Sequence, residues 1–268
     1  MPTPRAVRSC LGAADLELRA LGQTGIRVSL LGLGAVKFGR NTGLRNPTAF
    51  ALPSDVELRR LLAEAHTLGI NLIDTAPAYG SSEARIGALL PGNRDTWVLA
   101  TKVGEQFDEQ GSRFDFSAAS VRASVERSLT RLRTDYIDIV SVHSDGNDIE
   151  ILEHSDCVAT LRLLQAQGHI RSVAFSCKTL AGGLAALRHC DTVMVSLAPQ
   201  DHAETTVVAA AHREQRGVLV KKALDSGFLA GPALTEHFSW LRTLPGISSV
   251  VVGTVNPQHL RANAALLG

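Results

Sequence analysis

The chain has 268 residues, 45 % hydrophobic and 20 % charged, with 27 basic against 26 acidic side chains and a formal net charge of +1. That length supports one sizeable core, and the balanced charge without basic runs argues against a nucleic-acid or anionic-membrane binder. No apolar stretch approaches the length of a spanning helix, and the segment Met1 to Ala13 lacks the apolar centre of a signal peptide, so a cytoplasmic protein is expected.

Short Val- and Ile-rich runs alternate with longer amphipathic stretches, the pattern of βα units. Leu16 to Arg19 and Ile26 to Val28 flank the turn Gly22 to Gly25 and predict a β-hairpin. A strand through Leu30 to Leu33 stops at Gly34, and residues 35–53 form a long Gly/Pro/Asn-rich connection. Ser54 or Asp55 caps a helix with Leu58, Leu61, Leu62 and Ala65 on one face, ended by Gly69. Further strands are expected at Ile70 to Ile73, Trp97 to Thr101, Tyr136 to Val142, Ile170 to Phe175, Thr192 to Val195, Val218 to Val220 and Ser248 to Val252. Helices are expected near 81–90, 117–131, 155–166, 179–187 and 203–214, and over Pro257 to Leu266.

Eight mostly continuous apolar strands suit a parallel sheet covered on both faces and closed into a (β/α)8 TIM barrel. The hairpin would cap the barrel bottom, and the whole chain is read as a single domain with residues 1–15 as a flexible arm. The competing fold is an open doubly wound sheet, whose first strand usually leads into a loop with three spaced glycines; Gly32-Leu33-Gly34-Ala35-Val36 has no third glycine in place.

In a barrel, chemistry gathers at the C-terminal ends of the strands. The polar residues there are Asp74, Lys102, His143 and Ser176, with Tyr79 on the loop after Asp74. Each has an ordinary structural reading: a loop-capping Asp, a packed Tyr, a rim Lys, a core-edge His. Together they read as chemistry. An ammonium beside a phenol favours its ionised form, a carboxylate holds the ammonium charged, and an imidazole orients a carbonyl. That makes a general acid for a developing alkoxide, and hydride must then come from a nicotinamide. Cys10, Cys157, Cys177 and Cys190 follow no metal-ligand spacing and read as reduced thiols, so no metal is expected.

Asp74-Thr75-Ala76-Pro77-Ala78-Tyr79-Gly80, with Ser82-Glu83 and Ile86-Gly87 behind it, Thr101-Lys102 and Val142-His143, resembles the aldo-keto reductase signature. The resemblance runs from Arg19 to Asn263. It implies a catalytic tetrad of Asp74, Tyr79, Lys102 and His143, in which Tyr79 is general acid in reduction and general base in oxidation. It also implies NADP(H) or NAD(H) bound along Gly34, Ala35, Asp74, Ser176, Cys177, Met194, Lys221, Lys222, Gly253, Thr254, Asn256, His259 and Asn263.

Several of these positions depart from the family pattern. Cys177 and Met194 stand where the family has Asn and Gln for the nicotinamide carboxamide, and Lys221 where it has a stacking aromatic. Gly253 and His259 stand where members that favour the phosphorylated cofactor place Lys and Arg, so use of NADH or of both cofactors is open. Arg261 is close by but on a different helix face. The loops carry Phe38, Asn41, Leu44, Phe50, Phe107, Phe114, Phe116, Phe228 and Leu229 as candidates for an apolar wall, and with the chain ending at Gly268 no tail is expected to fold over the pocket. The expected substrate is a small aldehyde, ketone or aldose, and the protein a monomer or small homo-oligomer. The alternative is a cofactor-binding regulatory subunit with little turnover.

Overall fold

The computed structural model describes residues 16–44 and 50–268; the arm expected over 1–15, with Cys10, lies outside the described residues. β1 (Leu18–Ala20) and β2 (Arg27–Ser29) pair antiparallel. The barrel strands are β3 (Leu31–Gly34), β4 (Leu72–Asp74), β5 (Val98–Val103), β8 (Ile137–His143), β9 (Ile170–Ser176), β10 (Thr192–Ser196), β11 (Gly217–Lys221) and β12 (Ser249–Gly253). All eight pair parallel and close, β12 on β3 and β10 on β9. The (β/α)8 barrel is therefore the fold.

Outside the strands lie α1 (Val36–Gly39), α2 (Asp55–Thr67), α3 (Ser82–Leu89), α4 (Ala118–Leu132), α5 (Asp148–His154), α6 (Cys157–Ala166), α7 (Leu180–His189), α8 (Thr205–Arg213), α9 (Gly231–Thr243) and α10 (Pro257–Leu267). Ser54 caps α2 in a full capping box, its hydroxyl accepting from the Glu57 N–H while the Glu57 carboxylate accepts from the Ser54 N–H. The apolar face expected for α2 is the buried one: Leu58, Leu61, Leu62 and Ala65.

Four elements lie where the sequence reading left loop: α1, α5, α9 and a hairpin of β6 (Glu105–Asp108) with β7 (Gly111–Phe114). α1 and α5 are one to two turns, too short for a periodic signal. α9 begins Gly231-Pro232, which breaks the pattern from the left although Pro is favourable in a first turn. The hairpin turns at Asp108 to Gly111, a spacing with turn chemistry but without an apolar alternation to announce it.

The barrel interior is filled from below. Leu21, Ile26 and Val28 of the N-terminal hairpin cluster with inward residues of the strands, among them Leu72, Val98, Ile139, Met194 and Leu219. Gly22, in the left-handed region, lies so close to the start of β11 that a Cβ would fall 2.5 Å from the Gly217 nitrogen. The hairpin thus plugs the N-terminal end, and the open end is the one where the strands deliver their polar residues. Between strands and helices a second apolar layer, including Phe38, Trp97, Phe175 and Phe238, forms the larger core. No helix among the described residues is long and apolar enough to cross a membrane.

Candidate active site

The C-terminal mouth holds a cavity of about 400 Å³, in the range that takes a small ligand. Asp74, Tyr79, Lys102 and His143 all line it, as do Gly34, Ala35, Ser176, Met194, Lys221, Lys222 and Gly253. Residues far apart in sequence meet here because most stand at or just beyond the C-terminal end of a strand.

Lys102 donates to both carboxylate oxygens of Asp74, each at 2.7 Å, and to the Thr75 carbonyl at 2.9 Å. The pair is nearly sealed, with side-chain exposures of 2 % and 7 %. Burial pushes the Lys102 ammonium down, but Asp74 and Tyr79 outweigh it and hold it above the ordinary lysine value. A buried ion pair is a weak source of stability, since desolvation offsets much of the attraction; its presence at the floor of a cavity points to chemistry.

Tyr79 closes a 3-10 turn, Pro77–Tyr79. Its place is set by two glycines. A Cβ on Gly39 would fall 2.2 Å from the Ser82 nitrogen, and one on Gly80 2.2 Å from the Gly39 oxygen, so the end of α1 and the Tyr79 turn cross with backbone against backbone. Ser82 locks the crossing, its hydroxyl donating to the Ala35 carbonyl at 2.8 Å and accepting from Thr75 Oγ1 at 2.9 Å. The Lys102 ammonium then sits 4.9 Å from the centre of the Tyr79 ring. The His143 ring meets Tyr79 edge-on, centroids 6.2 Å apart.

The phenol departs from the expectation that Lys102 and Asp74 would together lower it. Burial pushes Tyr79 above the ordinary phenol value, Lys102 pulls against it, and the carboxylate of Asp74 adds to the rise. Asp74 acts on Tyr79 as a like charge and helps only through Lys102.

His143 is faced by a residue that sequence reasoning missed. Glu105, first residue of β6, brings its Oε2 to 2.6 Å from His143 Nδ1. Gly104 (φ +100), between Val103 and Glu105, is where the chain turns from β5 into the β6–β7 hairpin.

The cofactor-side residues divide. Lys221 neither stacks nor extends outward: its Nζ donates to Ser176 Oγ at 2.9 Å and to the Cys177 carbonyl at 2.6 Å. Burial lowers its ammonium to about 8. Met194 lines the cavity and also belongs to the interior cluster. Lys222 takes a left-handed backbone (φ +60), a sparsely populated conformation for a residue with a side chain. Gly34 and Gly253 face each other across β3 and β12; nothing but the Gly34 oxygen, at 3.7 Å, would meet a Cβ on Gly253, so the wall there is open backbone into which a ligand can press.

Cys177 does not present its thiol to the cavity. It is fully buried, its Sγ donating to the Met194 carbonyl at 3.2 Å beside Glu204, and burial pushes the thiol up to about 12. An apolar-sized side chain between β9 and α7 suits that packing, and only the Cys177 carbonyl takes part in the site, through Lys221. Thr254, Asn256, His259 and Asn263 lie outside the cavity lining. The Thr254 hydroxyl accepts from the Asn256 N–H, and Asn256 caps α10 by accepting from the Gln258 N–H. His259 is exposed and Asn263 buried. Arg261 is engaged with Glu64 of α2, its Nη2 at 2.7 Å from Oε2.

Of the apolar wall expected from the loops, Leu44 lines the cavity and the phenylalanines do not; Leu224 adds to the lining. Phe38 is core, Phe107 lies under the Arg40 guanidinium, and Phe114 stacks on Phe116. Lys37 and Lys178, not singled out from the sequence, also line it. Among the described residues no group of three or more His, Cys, Asp or Glu is arranged to hold a metal ion.

A 36 % identical match over 170 residues is found to L-galactose dehydrogenase of Arabidopsis thaliana, covering 60 % of this chain and 48 % of that protein. A 36 % identical match to NADH-specific methylglyoxal reductase of Escherichia coli covers 57 % of this chain and 49 % of that protein, so the aligned part spans about half the length of these curated relatives. A crystal structure from Pseudomonas aeruginosa, described as an aldo-keto reductase, is 50 % identical with a TM-score of 0.85, covering 93 % of both chains. The profile of the Aldo/keto reductase family matches residues 30–237. With that match over a closed barrel whose mouth gathers Asp74, Tyr79, Lys102 and His143, the chain belongs to the aldo-keto reductase family.

Proposed function

We propose that the protein is an oxidoreductase that moves hydride between a nicotinamide cofactor and the carbonyl or alcohol of a small substrate, an aldehyde, ketone or aldose. The observation that carries this is the buried Asp74–Lys102 pair beneath Tyr79, with His143 opposite, at the wall of one cavity. When bound, the nicotinamide supplies or accepts hydride. Tyr79 holds or takes the proton at the substrate oxygen, Lys102 stabilises the phenolate, Asp74 keeps Lys102 charged and oriented, and His143 fixes the oxygen. Relatives named for a sugar dehydrogenase and for a methylglyoxal reductase support a small polar carbonyl or its alcohol.

The residues fit a nicotinamide dinucleotide. The open backbone at Gly253 admits a ligand, and Lys221 and Lys222 add cationic donors along the same wall. In this reading Lys221 replaces the amides missing at Cys177 and Met194: it bonds Ser176 through its oxygen, leaving the serine O–H free to donate to a carboxamide. With Gly253 lacking a side chain, His259 exposed and Arg261 engaged with Glu64, the donor set supports NAD(H) at least as well as NADP(H). Lys221→Met is expected to weaken cofactor binding about tenfold, the equivalent of one lost charged hydrogen bond, read as quenching of the Trp97 and Trp240 fluorescence. Because Lys221 loses its charge near a pH of about 8, cofactor affinity that uses this charge falls as pH rises through that value, and the variant flattens the dependence.

The deciding experiment follows nicotinamide absorbance with NADH and NADPH in parallel over small aldehydes, ketones and, in reverse, aldoses. Turnover with either cofactor is the expected result. Cofactor binding without turnover in either direction would favour a regulatory role.

A further inference from the structure

Glu105 and His143 form a contact whose consequence reaches the substrate. The separation of 2.6 Å between Glu105 Oε2 and His143 Nδ1 is too short for two bare lone pairs or for a ring carbon, so Nδ1 carries the proton. The contact is one of charge and proximity: the ring N–H points off the line to Oε2, and Nδ1 has no aligned hydrogen-bond partner. The proton belongs to the ring. Glu105 also accepts from the Ser112 hydroxyl of β7 and faces the Arg40 guanidinium beyond the end of α1; although burial raises it, His143, Ser112 and Arg40 hold its carboxyl at about 2. Arg40 is itself fixed, donating to the Ala78 carbonyl at 3.2 Å with its guanidinium 3.2 Å from the centre of the Phe107 ring.

A neutral imidazole carries one N–H and one lone pair. With the N–H on buried Nδ1, the lone pair is on Nε2, the nitrogen left to meet the cavity that His143 lines. We propose that Glu105 is a positioning residue that fixes His143 as the Nδ1–H tautomer, so that Nε2 accepts from a substrate hydroxyl when the ring is neutral and donates to a substrate carbonyl only when the ring is protonated. The inference rests on the oxidoreductase reading for its consequence, though not for the tautomer itself. The site then binds the alcohol or lactol side of the reaction above the titration of His143 and the carbonyl side below it. The groups that face the ring are Glu105 of β6, which favours its protonation, Lys102 of β5 and Lys221 of β11, which oppose it, and Tyr79, edge-on from its 3-10 turn; Arg40 stands behind Glu105. Burial lowers His143 from its ordinary value, so the neutral acceptor form is the resting form at neutral pH.

Long-range proton–nitrogen NMR of the full-length nitrogen-15-labelled protein tests this, with His143 signals identified by their loss in His143→Asn. At about pH 8, above the ordinary histidine range, the wild type is expected to carry its ring proton on Nδ1. A proton on Nε2 overturns the proposal. Glu105→Leu is expected to release the ring to the Nε2–H form, and an unchanged Nδ1–H signal in that variant also overturns it. Glu105→Gln keeps an acceptor but loses the charge. The pH midpoint that separates reduction from oxidation is expected to move toward acid by roughly one unit, the usual effect of removing one close opposite charge. The reduction-to-oxidation ratio on that limb then falls about tenfold. A profile unmoved in Glu105→Gln overturns the directional consequence. Lack of turnover in the wild type counts against the proposed function alone, because the NMR signal decides the tautomer without it.

Discussion

Tyr79→Phe is expected to lose turnover by about two to four orders of magnitude, the usual worth of a positioned general acid or base, with cofactor binding and thermal midpoint unchanged. The argument is one of elimination inside the cavity. Lys102 has both carboxylate oxygens of Asp74 and the Thr75 carbonyl as acceptors and is held above its ordinary value, so it is a poor proton donor. Asp74 is occupied by the same bonds. His143 turns Nδ1 to the Glu105 carboxylate, away from the cavity. The phenol is the group whose proton is neither committed nor absent: burial keeps Tyr79 protonated well above neutrality, so it is an acid at neutral pH. Oxidation needs the phenolate, and its rate is expected to rise with pH toward the raised Tyr79 value. Lys102→Met removes the ammonium that pulls that value down and moves the oxidation limb further up. Steady-state rates in both directions across pH, with fluorescence titration of cofactor, check all three statements. Retained turnover in Tyr79→Phe would remove Tyr79 from the chemistry.

The half of the site proposed as catalytic was legible where its residues stand at strand ends. A strand of the right composition followed at once by one charged residue is visible in Asp74, Lys102 and His143 without any knowledge of pairing, and the barrel then brings such ends together. Tyr79 was legible through its short distance from Asp74. Glu105 was not, because its partner is thirty-eight positions on by number and its own element is a hairpin with one polar and one mixed strand. For Lys221 nothing local says that a lysine stem will fold onto Ser176 of β9 and the Cys177 just after it, since β9 and β11 meet only through β10. The Cys177 thiol leaves the cavity for a different reason. Neighbouring side chains alternate between the two sides of a strand, and the residue after inward Ser176 turns outward. The direction of the Tyr79 shift was missed because a sequence names the charges but not the depth of burial, and depth is the larger cause here.

At the other end of the same barrel, Asp138→Ala is expected to cost about 3 kcal/mol of unfolding free energy and leave kcat unchanged. Asp138 is fully buried near the start of β8. Its Oδ2 accepts from Arg94 Nη2 at 2.7 Å and from the Leu99 N–H at 2.9 Å, and its Oδ1 from Arg171 Nη1 at 2.7 Å. One carboxylate thus ties the segment before β5 to β8 and β9. Its removal leaves the buried Leu99 N–H unpartnered and two guanidiniums side by side. Breaking a buried pair ordinarily costs about 3–5 kcal/mol; the lower end applies because the Arg171 side chain is 44 % exposed and turns to water, while Arg94 keeps the Trp97 and Tyr136 carbonyls. Asp138→Asn, which keeps an acceptor, is expected to cost less. Five residues of strand, roughly 16 Å at the usual rise, separate Asp138 from His143, so urea midpoints should fall while turnover per folded molecule holds. These two buried carboxylate–cation clusters therefore answer opposite tests. Loss of Asp138 is read in stability, and loss of Asp74 in rate, because the first joins strands at the plugged end and the second holds a charge under a phenol at the open one.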